Sequence, residues 1–320
     1  MLTLQLGGRD VSAACLGTAE FGGKYDEAFS ISQLDLFRDY GGNFIDTAHV
    51  YNDWYPGEKS RSEKLIGRWM EHAGRREDFF LSTKGGHPPL TDMSHSRISR
   101  REIAADLEES LSFLRTPYVD LYFLHRDCTD VPVGEIVDWM NEWIREGKIR
   151  HWGCSNWTLG RIRAANEYAR HHDLEGITCN QAMWSYAVFR PENLPDQTLV
   201  PADSLALHYH AQTALPLMAF TAQARGYLAR LASGEPVPPD VQAVFGCSEN
   251  TRRLHTLQKM QKETGLSISQ LCLLYFLSLP FPAFPIVSFH SHEQLADSLE
   301  LYNHKGALLP LASRLFSPSL

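Results

Sequence analysis

Four side chains of this sequence have the types and spacing for acid–base chemistry on a carbonyl: Asp46, Tyr51, Lys84 and His125. Asp46 ends the apolar run Phe44-Ile45-Asp46, and a carboxylate at the mouth of a buried strand needs a cationic partner. Lys84, closing Phe79-Phe80-Leu81-Ser82-Thr83-Lys84, is the nearest such cation on a similar strand. Tyr51 follows Asp46 in the next loop, and His125 follows the apolar run Val119 to Leu124. A phenol, with an ordinary pKa of about 10, is a poor acid near neutrality. An ammonium beside it favours the phenolate, so Lys84, held by Asp46, is expected to lower the pKa of Tyr51. His125 is expected to orient a carbonyl oxygen between itself and Tyr51. Such a general acid is worth roughly 10²–10⁴ in rate. No side chain supplies the two electrons a carbonyl also needs, so a hydride donor such as a nicotinamide is implied.

The elements that must carry these residues alternate along the chain. Leu2, Leu4 and Leu6 lead through Gly7-Gly8 to Val11, which reads as a β-hairpin over 2–12. Ala14-Cys15-Leu16 is a first core strand, running into a glycine-rich loop over 17–23. Helical spacing covers 27–40 and stops at Gly41-Gly42. A short helix is expected over 60–70. Strands at 79–83, 119–124, 149–154 and 177–181 precede helices at 99–114, 133–146, 159–172 and near 202–213. Ser99 with Glu102 reads as a capping box on the first of these. A strand at 217–220 leads into a proline-marked excursion and helices around 248–264 and 267–279. A strand at 285–289 and a helix at 292–302 close the series. Eight strand-then-helix units with no break in composition predict one α/β domain over 1–320. Its expected form is a (β/α)₈ barrel with an N-terminal hairpin and extra helices between the seventh and eighth strands. A doubly wound sheet fits less well, because the glycine-rich loop is not a GxGxxG opening a helix.

Net charge of −8 with no basic run argues against nucleic acid and against an anionic membrane surface. The most apolar stretch, 271–289, is broken by Pro280, Pro282 and Pro285 and does not read as a span. The first residues lack the pattern of a signal peptide. Six cysteines form no CxxC pair, which predicts reduced thiols and a cytoplasmic location. His171, His172, His208 and His210 do not converge with acids or cysteines at ligand spacing, so no metal is expected.

Ile45-Asp46-Thr47-Ala48 with Tyr51, Ser82-Thr83-Lys84, and Leu124-His125 together resemble the Asp–Tyr–Lys–His signature of the aldo-keto reductase family. Ser62-Glu63-Lys64-Leu65-Ile66-Gly67 resembles its SExxxG helix, and Gly153-Cys154-Ser155-Asn156-Trp157 its GxSN strand end. The resemblance implies that Ser155, Asn156 and Gln181 hold a nicotinamide carboxamide and that Trp184, where Tyr is commoner, stacks on its ring. It also counts Gly17, Thr18, Ala19 and Asp46 among the cofactor contacts. Phe220-Thr221-Ala222-Gln223-Ala224-Arg225-Gly226 matches the loop that cradles the pyrophosphate, with Arg225 as an added phosphate contact. The segment from Ile286 to Gln294 matches the grip on the adenosine ribose, through Ser288, His290 and Gln294, with Ser298 on the last helix. Ser288 and Gln294 stand where NADP-specific members place Lys and Arg, which leaves the choice between NADP(H) and NAD(H) open.

The loop 52–59 follows Tyr51, so Trp54 and Tyr55 are expected to overhang the mouth, with His125 and Trp157 completing a substrate surface. Aromatic faces flanked by Asn52, Asp53 and Glu58 suit a sugar or polyol, and the loop looks like that of sugar-type bacterial members. The expected activity is hydride transfer between nicotinamide and an aldehyde, ketone, sugar or polyol. The rival is a dinucleotide-binding regulatory subunit, as the family's potassium-channel β-subunits illustrate. The absence of an extra N-terminal segment disfavours it.

Overall fold

A computed structural model describes residues 1–303 and 308–315. A two-stranded antiparallel hairpin comes first, β1 (Thr3–Leu6) and β2 (Arg9–Ser12). Gly7 turns it at φ +55°, and a Cβ there would lie 2.5 Å from the His151 ring, so only glycine fits. The barrel strands follow: β3 (Cys15–Gly17), β4 (Phe44–Asp46), β5 (Phe80–Gly85), β6 (Val119–Leu124), β7 (Ile149–Ser155), β8 (Cys179–Met183), β9 (Leu217–Phe220) and β10 (Ala283–Val287). These eight form one closed barrel, in chain order around the ring. The (β/α)₈ architecture is thus the one the alternating pattern predicts, and for the reason given: parallel neighbours need a crossover, and helices supply it.

Contacts divide the chain into two compact units, Thr3–Gln181 and Met1–Leu2 with Ala182–Leu320. In the first, β3 to β8 pair in parallel at a fixed register, Asp46 opposite Ser82 and Gly85 opposite Leu124. That register carries Asp46, Lys84 and the residue after Leu124 to one end of the sheet. Apolar side chains such as Leu16, Ile45, Leu81, Leu121 and Phe123 fill the interior. In the second unit, β9 pairs with β10, and between them lie helices Tyr227–Ser233, Pro239–Phe245, Ser248–Thr264 and Ile268–Leu274.

Several boundaries differ from the sequence reading. The strand expected over 177–181 is Cys179–Met183, and that expected over 285–289 is Ala283–Val287. Burial on both faces leaves such strands without alternation, so their ends are not marked by pattern. The helices Tyr227–Ser233 and Pro239–Phe245 lie where only a proline-marked excursion was read, and Leu308–Ala312 follows the last expected helix. Ser99 accepts the Glu102 N–H, but its own N–H goes to the Arg97 carbonyl while its hydroxyl donates to the Glu102 carboxylate. The reciprocal box is therefore absent, and a simple N-cap stands in its place. Among the described residues no helix is long and apolar enough to cross a membrane.

Candidate active site

Lys84 is the centre of the first unit's C-terminal end. Its Nζ donates to Asp46 Oδ2 at 2.6 Å, to the Thr47 carbonyl at 2.6 Å and to the Tyr51 hydroxyl at 3.0 Å. An ammonium has three N–H bonds, and all three have acceptors, so this cation has one orientation. Lys84 and Asp46 are 0% and 1% exposed, which makes their mutual neutralisation obligatory. The other carboxylate oxygen, Asp46 Oδ1, accepts from Ser82 Oγ at 2.7 Å and from Gln181 Nε2 at 3.0 Å. The Tyr51 oxygen accepts from Lys84, which leaves its own proton to point elsewhere.

His125 completes the group. Its ring lies 6.1 Å from that of Tyr51 and 4.8 Å from that of His87, edge to face in both cases. Its Nδ1 is buried without a hydrogen-bond partner. Burial, reinforced by the charges of His87, Arg126 and Lys84, holds its pKa well below the usual histidine value, so the ring is neutral. A neutral imidazole can donate one hydrogen bond to a carbonyl oxygen, whereas a charged one would compete with Tyr51 as acid.

The expected lowering of the Tyr51 pKa is not what the geometry produces. Burial pushes the phenol up, the Lys84 ammonium pulls it down, and the Asp46 carboxylate pushes it up again, with a net rise. Asp46 therefore opposes the effect assigned to it, because its charge reaches Tyr51 as well as Lys84. Burial tends to strip Lys84 of its proton, yet Asp46 and Tyr51 outweigh that and raise its pKa, so the ammonium persists.

The side chains of the Ser62–Gly67 pattern support the backbone behind these residues. Ser62 Oγ bonds the Thr18 carbonyl at 2.9 Å, the Thr18 hydroxyl at 2.8 Å and the Thr47 hydroxyl at 2.9 Å. Glu63 accepts from Thr83 Oγ1 at 2.5 Å. A Cβ on Gly67 would collide with the Phe113 carbonyl, so that glycine lets helix Arg61–Ala73 lie against the end of helix Arg100–Phe113. The Ser-Glu-x-x-x-Gly pattern thus braces the backbone on either side of Asp46 and Lys84. Ser82 and His87 were not singled out. A serine two residues before Lys84 on the same face was the available signal for the first.

The remaining candidates fall into two sets by unit. In the first, Ser155 and Asn156 are buried and joined, with Asn156 Nδ2 donating to Ser155 Oγ at 3.0 Å and to the His125 carbonyl at 3.2 Å. Asn156 holds φ 60°, a left-handed conformation that marks constrained strand ends. Gly17 is buried, and the hydroxyl of buried Thr18 is turned to the Asp46 carbonyl at 2.9 Å, while Ala19 is half-buried. Trp54 is 42% exposed, 6.1 Å from the Tyr51 ring, and is the loop aromatic that overhangs the mouth.

On the substrate side, several of the expected residues have partners within the chain. Trp157 is 3% exposed, and its indole N–H bonds the Arg126 carbonyl at 3.2 Å, so it supports the strand end and offers no surface. Tyr55 is tied to Glu20 Oε2 at 3.0 Å. The polar residues read as a sugar rim are committed internally: Asn52 to the Phe21 carbonyl, Asp53 to the Ser60 N–H, Glu58 to Lys64. Hydrogen bonds to Glu20, Phe21, Ser60 and Lys64 tie the loop to its surroundings, which sequence order alone does not show.

In the second unit, Trp184 is 9% exposed and its indole N–H bonds the Tyr275 hydroxyl at 3.1 Å. Thr221, Ala224 and Arg225 all have positive φ, followed by Gly226 at +78°. Within this turn the Ala224 and Gly226 N–H groups donate to the Thr221 and Gln223 carbonyls at 2.8 and 2.9 Å. Phe220 precedes this loop at the end of β9, Ala222 is buried within it, and Gln223 reaches the Ser269 carbonyl at 3.4 Å. The Arg225 guanidinium pairs with Asp240 at 2.7 Å, both exposed, so the phosphate contact assigned to it competes with a standing ion pair. Ser288 and His290 are exposed; Gln294 Oε1 accepts the His290 N–H at 3.0 Å, and Ser298 is buried.

Within the first unit, the Nδ1 of His125 has no partner among the described residues and is a group that a bound substrate would satisfy, and the buried polar side chains of Ser155, Asn156 and Gln181 fit the carboxamide of a nicotinamide cofactor. Among the described residues no group of three or more metal-type ligands converges.

The chain is similar to several known proteins. The chain is 29% identical over 307 residues to norsolorinic acid reductase stcV of Emericella nidulans, covering 91% of this chain and 74% of that one. It spans about half the length of three further fungal norsolorinic acid reductases that it matches. An aryl-alcohol dehydrogenase [NADP(+)] of Phanerodontia chrysosporium is 27% identical over 92% of this chain and 79% of its own. Among solved structures, a thermostable aldo-keto reductase in complex with the inhibitor epalrestat superposes with a TM-score of 0.69 at 26% identity, over 99% of this chain and 100% of that one. The model of the aldo/keto reductase family matches residues 13–306. The chain belongs to the aldo/keto reductase family.

Proposed function

We propose that residues 1–320 act as a single barrel domain that reduces an aldehyde or ketone to an alcohol, and the reverse, with a nicotinamide dinucleotide. That group supplies the hydride when bound; the chain's own residues handle the proton and the geometry. Tyr51 donates its proton to the carbonyl oxygen. Lys84, fixed on three acceptors, stabilises the phenolate left behind, and Asp46 holds Lys84. Neutral His125 orients the carbonyl between itself and Tyr51. Run backwards, Tyr51 is the base. The observation that carries this reading is the Lys84–Tyr51 contact at 3.0 Å inside a cation shell with no water-facing side.

Ser155, Asn156, Gln181, Trp184 and the 221–226 loop would hold the cofactor. The missing Lys and Arg near Ser288 and Gln294 weaken a preference for NADPH over NADH. For substrate, the internal commitment of Asn52, Asp53 and Glu58 favours an aromatic carbonyl, stacked on Trp54, over a sugar. The six free cysteines suit a reducing compartment, and we place the protein in the cytoplasm.

The test is oxidation of NADPH and of NADH, followed with aryl aldehydes and with aldoses, beside a tryptophan-fluorescence titration by each cofactor. Turnover of aryl aldehydes above aldoses is expected. Cofactor binding without turnover of any carbonyl would favour the regulatory-subunit reading, and binding of neither cofactor would sink both.

A further inference from the structure

A cleft lies at the N-terminal ends of β5, β6 and β7, away from Lys84 and His125. It is an open cleft of about 450 Å³, within the size range that holds a small metabolite. Its wall includes Arg9 of the hairpin, Phe80 at the start of β5, Tyr118 and Asp120 around the start of β6, and Arg150 and His151 near the start of β7.

The charges on this wall do not cancel. Asp120 is shared by two guanidiniums, Arg9 Nη1 at 2.7 Å and Arg76 Nη2 at 2.7 Å, and also accepts the Leu81 N–H at 2.9 Å. His151 Nδ1 faces Glu175 Oε1 at 2.6 Å and its Nε2 faces the Gly7 carbonyl at 3.1 Å, so both ring nitrogens meet acceptors. The Glu175 hydrogen bond and charge push its pKa up in spite of burial. Arg150 is exposed with its guanidinium 4.5 Å from the centre of the Tyr118 ring, and it has no carboxylate partner among the described residues. Glu77 is the remaining acid on the wall. With His151 protonated, the cations Arg9, Arg76, Arg150 and His151 exceed Asp120, Glu77 and Glu175 by one.

We propose that this cavity binds a small oxyanion, a carboxylate or phosphate group, gripped by Arg150. The Tyr118 ring holds the guanidinium plane, and a planar fork of N–H donors matches either oxyanion in two parallel bonds. The half-buried Tyr118 ring gives the rest of the ligand an apolar face. This site is independent of the reaction proposed for Tyr51.

The test is thermal unfolding of the full chain in sodium phosphate, in sodium citrate, and in sodium chloride at matched ionic strength. A ligand that binds only the folded state raises the midpoint. Wild type, Arg150→Ala and Arg225→Ala are compared, each against its own chloride reference; Arg150 is exposed, so its truncation leaves the fold. Phosphate or citrate is expected to raise the wild-type midpoint, the rise is expected to survive in Arg225→Ala, and binding is expected to weaken at least roughly tenfold in Arg150→Ala. A rise with one anion alone assigns its chemistry to the ligand. No rise with either, or a rise kept by Arg150→Ala, overturns the proposal. So does a rise lost only in Arg225→Ala, which would put the anion on the loop after β9.

Discussion

At the C-terminal ends of β4 and β5, a carboxylate and its cation are 0–1% exposed, and every donor of the cation is used. At the N-terminal end of β6, Asp120 is as deeply buried, but its partners are not: Arg9 is 35% exposed and Arg76 15%. Both clusters hold a carboxylate against cations, and their physical consequences differ. Water shares the charge of the lower cluster, so it acts as a brace between the hairpin, the 76–78 turn and the barrel. The upper pair has no water to fall back on. Its electrostatic energy fixes one ammonium against one phenol, which is the arrangement the proposed proton transfer requires.

The largest effect should come from taking away the proton itself. Tyr51→Phe is expected to cost roughly 10²–10⁴ in turnover while cofactor titration and circular dichroism stay unchanged. Turnover kept within a few-fold would remove Tyr51 from the acid role. Next is Lys84→Met, which strands a buried carboxylate and should destabilise by about 3–5 kcal/mol in urea unfolding. Adding Asp46→Leu should recover much of that loss; a double variant no more stable than the single would mean the pair is not isolated from water. At the other end, Asp120→Asn should cost only about 1–3 kcal/mol, since its guanidiniums regain water. Equal losses at the two ends would dissolve the contrast.

Acid chemistry behind the upper cluster gives a further test. Burial pushes the Glu63 carboxyl up from 4.5 to about 7, against the His49 charge and the Thr83 hydroxyl, which pull it down. Between those values the folded chain keeps a proton that the unfolded chain has released. The stabilisation is complete below pH about 4.5 and is lost as pH rises through about 7, a span of roughly 3 kcal/mol. Glu63→Gln should flatten that decline in urea midpoints measured across the range. The smallest stability effect belongs to Trp54→Ala, within about 0.5 kcal/mol because the indole is largely exposed. Its signature is a raised KM for aryl aldehydes with kcat little changed, and an unaltered KM would take Trp54 out of the substrate surface.

Much of the frame is legible in the chain. Apolar runs separated by helical periodicity predict the strand series, and a polar residue at the end of each run marks where chemistry can sit. Asp46, Lys84 and His125 were visible for that reason: a charge at the end of an apolar strand is costly unless it is used. Strand ends at 179–183 and 283–287 were not, since a strand buried on both faces has no alternation to mark where it stops. Polar loops were the least legible. Asn52, Asp53 and Glu58 look like a sugar rim in sequence, and each has a hydrogen-bond partner outside the loop that only the fold brings to it.

The sequence by itself determined the alternation, the family signature and the four residues with the means for proton chemistry, because these depend on residue type and local period. The tertiary structure decided their electrostatics. Whether the Tyr51 pKa rises or falls depends on the balance of burial, Lys84 and Asp46 at distances set by the register of β4 on β5. The same closure gathers Arg9, Arg76 and Asp120, far apart in sequence, into one cluster at the opposite end. Charge interactions fall off with distance and vary with solvent access, and a one-dimensional chain specifies neither until it folds.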